Sequence, residues 1–197
     1  MRPSSPHRPA LKGRIRQLRP SEQPLFRDHL LRLDTESRHD RFNGLTTDEF
    51  VTDYAARSFR EGTTVVGYIR NGAVLGAAEL HERPELQPPT GEIAFSVERF
   101  LQNRGIGSRL FERLLDHARA LGYERLLVTT HSGNAAMKAL ARKFDAALSF
   151  SPYETVGVIE LDGTAEADAA EAWSFGPDRR STFGGPRSQV LGASGRP

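Results

Sequence analysis

Alternating strand-like and helix-like segments place the 197-residue chain in the α/β class. Three observations predict it. TTVVGYIR and AVLGAAELHE are β-rich runs joined by Asn71-Gly72, the pair that supplies both positive φ angles of a type I′ hairpin turn. RLLVTTH, from Arg125 to His131, is a nearly continuous apolar run, as expected of a strand inside a sheet. Segments with helical spacing lie on both sides of it, so the order along the chain reads β-α-α-α-β-β-β-α-β-α-β-β.

Each element has its own signal. RIRQL is a short first strand, and SEQPLFRDHLLRL opens with a serine cap and sets Leu25, Phe26, Leu30 and Leu33 on one helical face. DTESRHDRF is a second, shorter helix. TTDEFVTDYAARSF is a third, capped by Thr46 or Thr47 and acidic in its first turn. After the hairpin and a proline-rich loop comes GEIAFSV, a strand with Ile93, Phe95 and Val97 on one face and Glu92, Ala94 and Ser96 on the other. The next helix spaces Ile106, Leu110, Leu114, Ala118 and Leu121 for one buried face and stops at Gly122. NAAMKALARKF is the last helix, and ALSFSPY and ETVGVIEL are the closing strands. Residues 1–13 and 162–197 carry no periodic apolar face and are expected to be a disordered arm and tail around one domain, 14–161.

Composition narrows the chemistry. There is no cysteine, which excludes disulfides, thiolate zinc sites and cysteine nucleophiles. The sequence has no long apolar stretch and no signal-peptide pattern, so a cytoplasmic protein with no membrane partner is expected. A formal charge of +2 does not by itself suggest nucleic-acid binding. Arg2, Arg8, Lys12, Arg14, Arg16 and Arg19 form a basic arm, but no aromatic side chains are interleaved to stack on bases, and a solvated tail is the simpler reading. In the tail, Trp173 and Phe175 are where packing on the domain or on a second subunit of a homodimer would arise.

QNRGIGSRL, from Gln102 to Leu110, lies between a strand and a helix. A glycine-paired loop there aims backbone N–H groups and a positive helix end at an anion. It lacks the third glycine of a dinucleotide fingerprint and the Lys-Ser/Thr of a P-loop, and taken alone it also fits an ordinary helix-starting turn. With the order of elements, Gln102-Asn103-Arg104-Gly105-Ile106-Gly107 resembles the signature of the GNAT family of acetyl-CoA-dependent N-acetyltransferases: Gln or Arg, two residues, Gly, one residue, Gly or Ala. The resemblance covers about residues 13–161. It implies a central mixed, mostly antiparallel sheet of about six to seven strands with helices on both faces. It also implies acetyl-CoA as co-substrate and no metal. Its diphosphate would sit on Gln102, Asn103, Arg104, Gly105, Ile106, Gly107 and Ser108, with Asn134 near the pantetheine arm and a backbone N–H near Val97 facing the thioester oxygen.

Two further segments, SRHDRF and NAAMKALARKF, are similar to patterns in bacterial protein lysine acetyltransferase domains. The family's usual tyrosine, which protonates the departing thiolate, falls at Ala141, so that acid is missing. A thiol of pKa about 8.5 leaves as thiolate with little help, whereas a lysine-like ammonium is neutral in roughly one molecule in 2,500 at pH 7, a cost of about 4.6 kcal/mol. A carboxylate base addresses the larger barrier. The resemblance assigns that role to Glu92, at the start of the fourth strand, with Glu79 and Glu82 in reserve; the plain alternative for Glu92 is a solvent-facing strand end. His29, His39, His117 and His131 show no metal-ligand spacing, and Ser96 has no histidine and acid in a recognisable order. The implied activity is direct acetyl transfer to a primary amine, either a protein lysine or a small molecule. A non-catalytic acyl-CoA-binding module is the alternative.

Overall fold

The computed structural model describes residues 13–161. The expected tail and, apart from Gly13, the expected arm lie outside the described residues. Seven strands and five helices occur in the order read from the sequence. They are β1 (Arg14–Gln17), α1 (Gln23–Leu31), α2 (Thr35–Phe42), α3 (Asp48–Arg57), β2 (Thr63–Arg70), β3 (Ala73–Glu82), β4 (Thr90–Val97), α4 (Ile106–Ala120), β5 (Arg125–His131), α5 (Ala135–Lys143), β6 (Ala147–Phe150) and β7 (Glu154–Glu160). The sheet runs β1-β2-β3-β4-β5-β7-β6, and only β4 and β5 pair in parallel. Asn71 (φ 52°) and Gly72 (φ 77°) make the hairpin turn between β2 and β3.

Two cores sandwich the sheet. On one face Ile106, Leu110, Phe111 and Leu114 of α4 pack on Val66, Tyr68, Leu80 and Ile93. On the other, Phe26 and Leu30 of α1 and Val51 and Ala55 of α3 pack on Val65, Val74 and Ala77. The period-2 alternation of β2 to β4 therefore faces apolar side chains both ways, because neither face of the sheet centre meets solvent.

Two local expectations change. Ser21 is not the cap of α1. Pro20 starts a 3-10 turn at Pro20–Glu22, and there the Glu22 carboxylate accepts the Arg19 N–H at 3.0 Å and pairs with Arg16 at 2.7 Å, tying the turn to β1. Leu121 is 57% exposed: it is the C-cap of α4, and Gly122 at φ 81° turns the chain away before that side chain reaches the core. Thr47, not Thr46, caps α3 by accepting the Phe50 N–H.

Candidate active site

The parallel pair is short. β4 and β5 are in register only from Thr90 to Glu92 and from Arg125 to Leu127; beyond that they separate. Hydrogen bonds on their far sides fix which groups face the gap. The Glu98 N–H donates to Leu75 O, so Val97 opposes Gly76 as a non-hydrogen-bonded pair, and the N–H groups of Val97 and, by alternation, Phe95 point away from β3. Likewise the Ser132 N–H donates to Tyr153 O, which turns the backbone groups of Thr129 and His131 away from β7. Two strand edges thus face each other across a wedge, like an opened ladder that an extended chain with its own amides can enter.

At the wide end of the wedge lies the glycine loop. Asn103 (φ 57°) and Gly105 (φ 79°) both adopt left-handed backbone, and Gly105 is the N-cap of α4 with no side-chain cap. The first bond into the helix runs from the Arg109 N–H to Gly105 O, leaving the N–H groups of Ile106, Gly107 and Ser108 without helical partners. No acidic residue sits in that first turn. A Cβ added at Gly107 would meet only Leu140 at 3.6 Å, an ordinary contact, so packing does not require glycine there. Arg104 and Arg109 are exposed on the same turn. The arrangement fits a diphosphate: a helix end, free amides, flanking cations and a glycine that packing does not require.

Gln102 fastens the loop, its Nε2 donating to Val97 O and to Ser37 Oγ on α2, both at 3.0 Å. Asn134 is buried and caps α5, accepting the Met137 N–H at 2.8 Å, so the cap reading of that residue holds. Across the wedge on the α1–α3 face lies α2. Its cap Asp34 accepts the Ser37 N–H, Asn43 just past its end accepts the His131 N–H at 2.9 Å, and Arg41 reaches Glu79 at 2.5 Å. The Ser37, Arg41 and Phe42 of SRHDRF thus hold the loop, the sheet and the core, respectively.

Of the three candidate carboxylates, Glu92 is at the apex, the last β4 residue paired with β5. It is 5% exposed, and the guanidinium of Arg83 donates to it, so the solvent-facing alternative does not hold. Glu79 shares its sheet face but is fully buried between Arg41, the Tyr54 hydroxyl at 2.7 Å and His81 at 3.3 Å. Burial pushes the Glu79 carboxyl up, but Arg41 and His81 together outweigh it and hold the group well below the usual carboxylate range, while burial pushes the Tyr54 phenol up. Glu82 is exposed, opposite Gly91 on the other sheet face. Arg41→Ala leaves Glu79 as an uncompensated buried charge and is expected to cost about 3–5 kcal/mol in denaturant unfolding. Joint replacement, Arg41→Met with Glu79→Leu, should cost much less than the sum of the two single changes. Because the folded value of Glu79 is depressed, its share of stability is present above the ordinary carboxylate range and is lost as pH falls through the folded value.

Sequence spacing hid three groupings. His29 on α1 bonds Ser96 on β4 and reaches Glu98, which supplies the histidine and acid that chain order did not. Arg83, beyond the end of β3, is the partner of Glu92. His39, Asp40 and His131 bring one ligand atom each within 4.8 Å of one another. There, His131 Nε2 is 2.5 Å from Asp40 Oδ1 while Nδ1 accepts the Gly133 N–H, so the ring would have to give up one of these bonds to bind a cation. The partners lie roughly 70 or 90 residues apart in two of these cases, and no periodic signal spans that distance.

The wedge between parallel strands, with a glycine-led helix end at its mouth, forms a cleft suited to an extended ligand that carries a diphosphate. Residues 26–146 match the Acetyltransferase (GNAT) family, and the chain belongs to that family of N-acetyltransferases, whose co-substrate is acetyl-CoA. A search of curated proteins returned no match. Among solved structures, the GNAT domain of S. lividans PAT superposes with a TM-score of 0.65 at 18% identity, covering 75% of this chain and 90% of that one. YncA, a putative acetyltransferase from Salmonella typhimurium with its cofactor acetyl-CoA, gives 0.56 at 22% identity over 80% and 98%. An acetyl transferase from the same organism that modifies the N-terminal serine of 50S ribosomal subunit protein L7/L12 gives 0.60 at 15% identity over 78% and 97%. Among the described residues, no helix is long and apolar enough to cross a membrane.

Proposed function

We propose that the chain transfers an acetyl group directly from acetyl-CoA to a primary amine, with a protein amine such as lysine as acceptor and a small-molecule amine as the alternative. The observation that carries this is the wedge itself. Its free edges present the N–H groups of Phe95 and Val97 and the backbone of Thr129 to an extended ligand, and the α4 amides lie at its mouth. A pantetheine arm, with two amides, matches such an edge as an added strand does. The diphosphate would rest on Ile106, Gly107 and Ser108, with Gln102, Asn103 and Gly105 shaping the loop, Arg104 adding charge and Asn134 flanking the arm. The Val97 N–H would donate to the thioester oxygen as negative charge grows on it. Glu92, at the apex, is the base that takes the ammonium proton, directly or through water. A cytoplasmic setting follows in this reading from the co-substrate.

A protein acceptor is favoured because one of the fold relatives is named for modifying a protein amine, the N-terminal serine of a ribosomal protein. Thiol release from acetyl-CoA over a panel of free amines and lysine-containing peptides tests the proposal. Turnover on at least one amine supports it, while tight CoA binding with no turnover on any would leave a non-catalytic acyl-CoA module. Ala141 is only 1% exposed, in the core under α5, so Ala141→Tyr overpacks that core. It is expected to cost about 1–3 kcal/mol in unfolding without raising the rate.

A further inference from the structure

A fully buried histidine lies beneath the free edge of β4. His29 Nε2 is 2.9 Å from Ser96 Oγ, and Nδ1 is 3.3 Å from Glu98 Oε1. The same carboxylate oxygen accepts from Arg32 Nε at 3.0 Å, and Arg32 Nη2 is anchored on Val74 O at 2.7 Å. Burial pushes the Glu98 carboxyl up, but hydrogen bonds from His29 and Arg32 bring it below its ordinary value, so it is ionised and can only accept. Its contact with Nδ1 therefore fixes the proton there. Burial pushes the His29 imidazole below its ordinary range, against the pull of Glu98, so the ring is neutral and Nε2 holds a lone pair. The Ser96 hydroxyl then donates to Nε2. The charged groups around the ring are Glu98 and Arg32 and, at longer range, Glu79.

A hydroxyl donating to a neutral imidazole that is oriented by a carboxylate is a proton relay ready to run both ways. Ser96 belongs to the stretch of β4 that has left β5, between Phe95 and Val97, whose N–H groups face the wedge. We propose that Ser96, backed by His29 and Glu98, moves the proton between the amine and the departing sulfur, the task left open by the alanine at 141. This rests on the proposed acetyl transfer and adds a step to it. Two protons leave the nitrogen as an ammonium becomes an amide. Glu92 takes the first, freeing the amine lone pair. Attack on the thioester carbon forms the C–N bond and leaves a second proton on positively charged nitrogen, with negative charge on oxygen. That proton passes to Ser96 Oγ as the Ser96 proton passes to His29 Nε2, and Glu98 stabilises the imidazolium. When the C–S bond breaks, the relay runs in reverse and the sulfur leaves as thiol, with Ser96 and His29 restored. Burial serves this cycle, since a charged His29 persists only while the intermediate does.

Hydroxylamine tests the relay, because it is small, needs no built acceptor site and is already neutral at pH 7. Thiol release from acetyl-CoA with hydroxylamine is measured beside the best amine of the panel. Ser96→Ala should slow both reactions by about 10²–10⁴-fold with CoA affinity unchanged, while Glu92→Gln should slow only the reaction of the protonated amine. His29→Gln keeps a hydrogen bond to Ser96 but cannot titrate. It should show the same loss and should also abolish the solvent deuterium isotope effect on thiol release, which a packing role would leave in place. Ser96→Thr should restore part of the rate. Should His29→Gln fail to fold, Ser96→Ala, a loss of one oxygen, decides alone. Wild-type rates in Ser96→Ala on both acceptors would overturn the relay while leaving acetyl transfer standing. No acceleration of any amine by the unaltered protein would instead remove acetyl transfer, and the relay with it.

Discussion

Gly107→Glu is expected to abolish CoA binding in isothermal calorimetry while the domain still unfolds cooperatively at nearly its original temperature. The two halves have separate grounds. For the fold, a Cβ at this position meets only Leu140 at 3.6 Å, and Gly107 lies in the first turn of α4, where a carboxylate complements the helix dipole. For binding, the side chain would occupy the space in front of the amides of Ile106, Gly107 and Ser108 and bring negative charge where a diphosphate must sit. Gly105 is a poorer place for this experiment: at φ 79°, any side chain strains the backbone, and lost binding could not be told from a damaged loop. Gly107→Ala is the graded control, expected to weaken CoA much less. Unchanged CoA affinity in a folded Gly107→Glu would mean that the loop is only a helix-starting turn.

That loop was legible because its signal is local. Glycines at 105 and 107, a strand before and an amphipathic helix after all lie between Thr90 and Ala120, and backbone chemistry alone says what such a turn offers. The elements were legible for the same reason: hydrophobic periodicity, Asn71-Gly72 and Gly122 are short-range facts. The side chains that tune the chemistry were not. Glu92 was found as a residue, but its burial and its Arg83 partner depend on how the end of β3 folds back over β4. His29 looked unemployed because its partners are 67 and 69 residues away, and only the packing of α1 on the sheet brings them together. Leu121 shows the opposite failure, where a correct helical period was extended one residue past the point at which the chain turns. Period tells which face a helix buries. It does not tell where a cross-chain hydrogen bond will fall.

Glu92→Gln is expected to lower kcat/KM on a protonated primary amine by about 10²–10⁴-fold, the range for a lost general base, with acetyl-CoA affinity nearly unchanged. The substitution is nearly isosteric, and Arg83 keeps its second partner, Glu85, at 2.7 Å, so no cation is stranded. In the unaltered protein the rate should rise from acid and level off, because the ammonium form of the amine is the one that binds and gives up its proton on the enzyme. Glu79 cannot substitute, because it is fully buried and held by Arg41 and the Tyr54 hydroxyl, and Glu82 is on the other face of the sheet. If Glu92→Gln retained full activity at every pH, deprotonation would be occurring in bulk water before the amine binds. The roughly one molecule in 2,500 that is neutral at pH 7 would then set the rate, and activity would climb tenfold per pH unit well into the alkaline range instead of reaching a plateau.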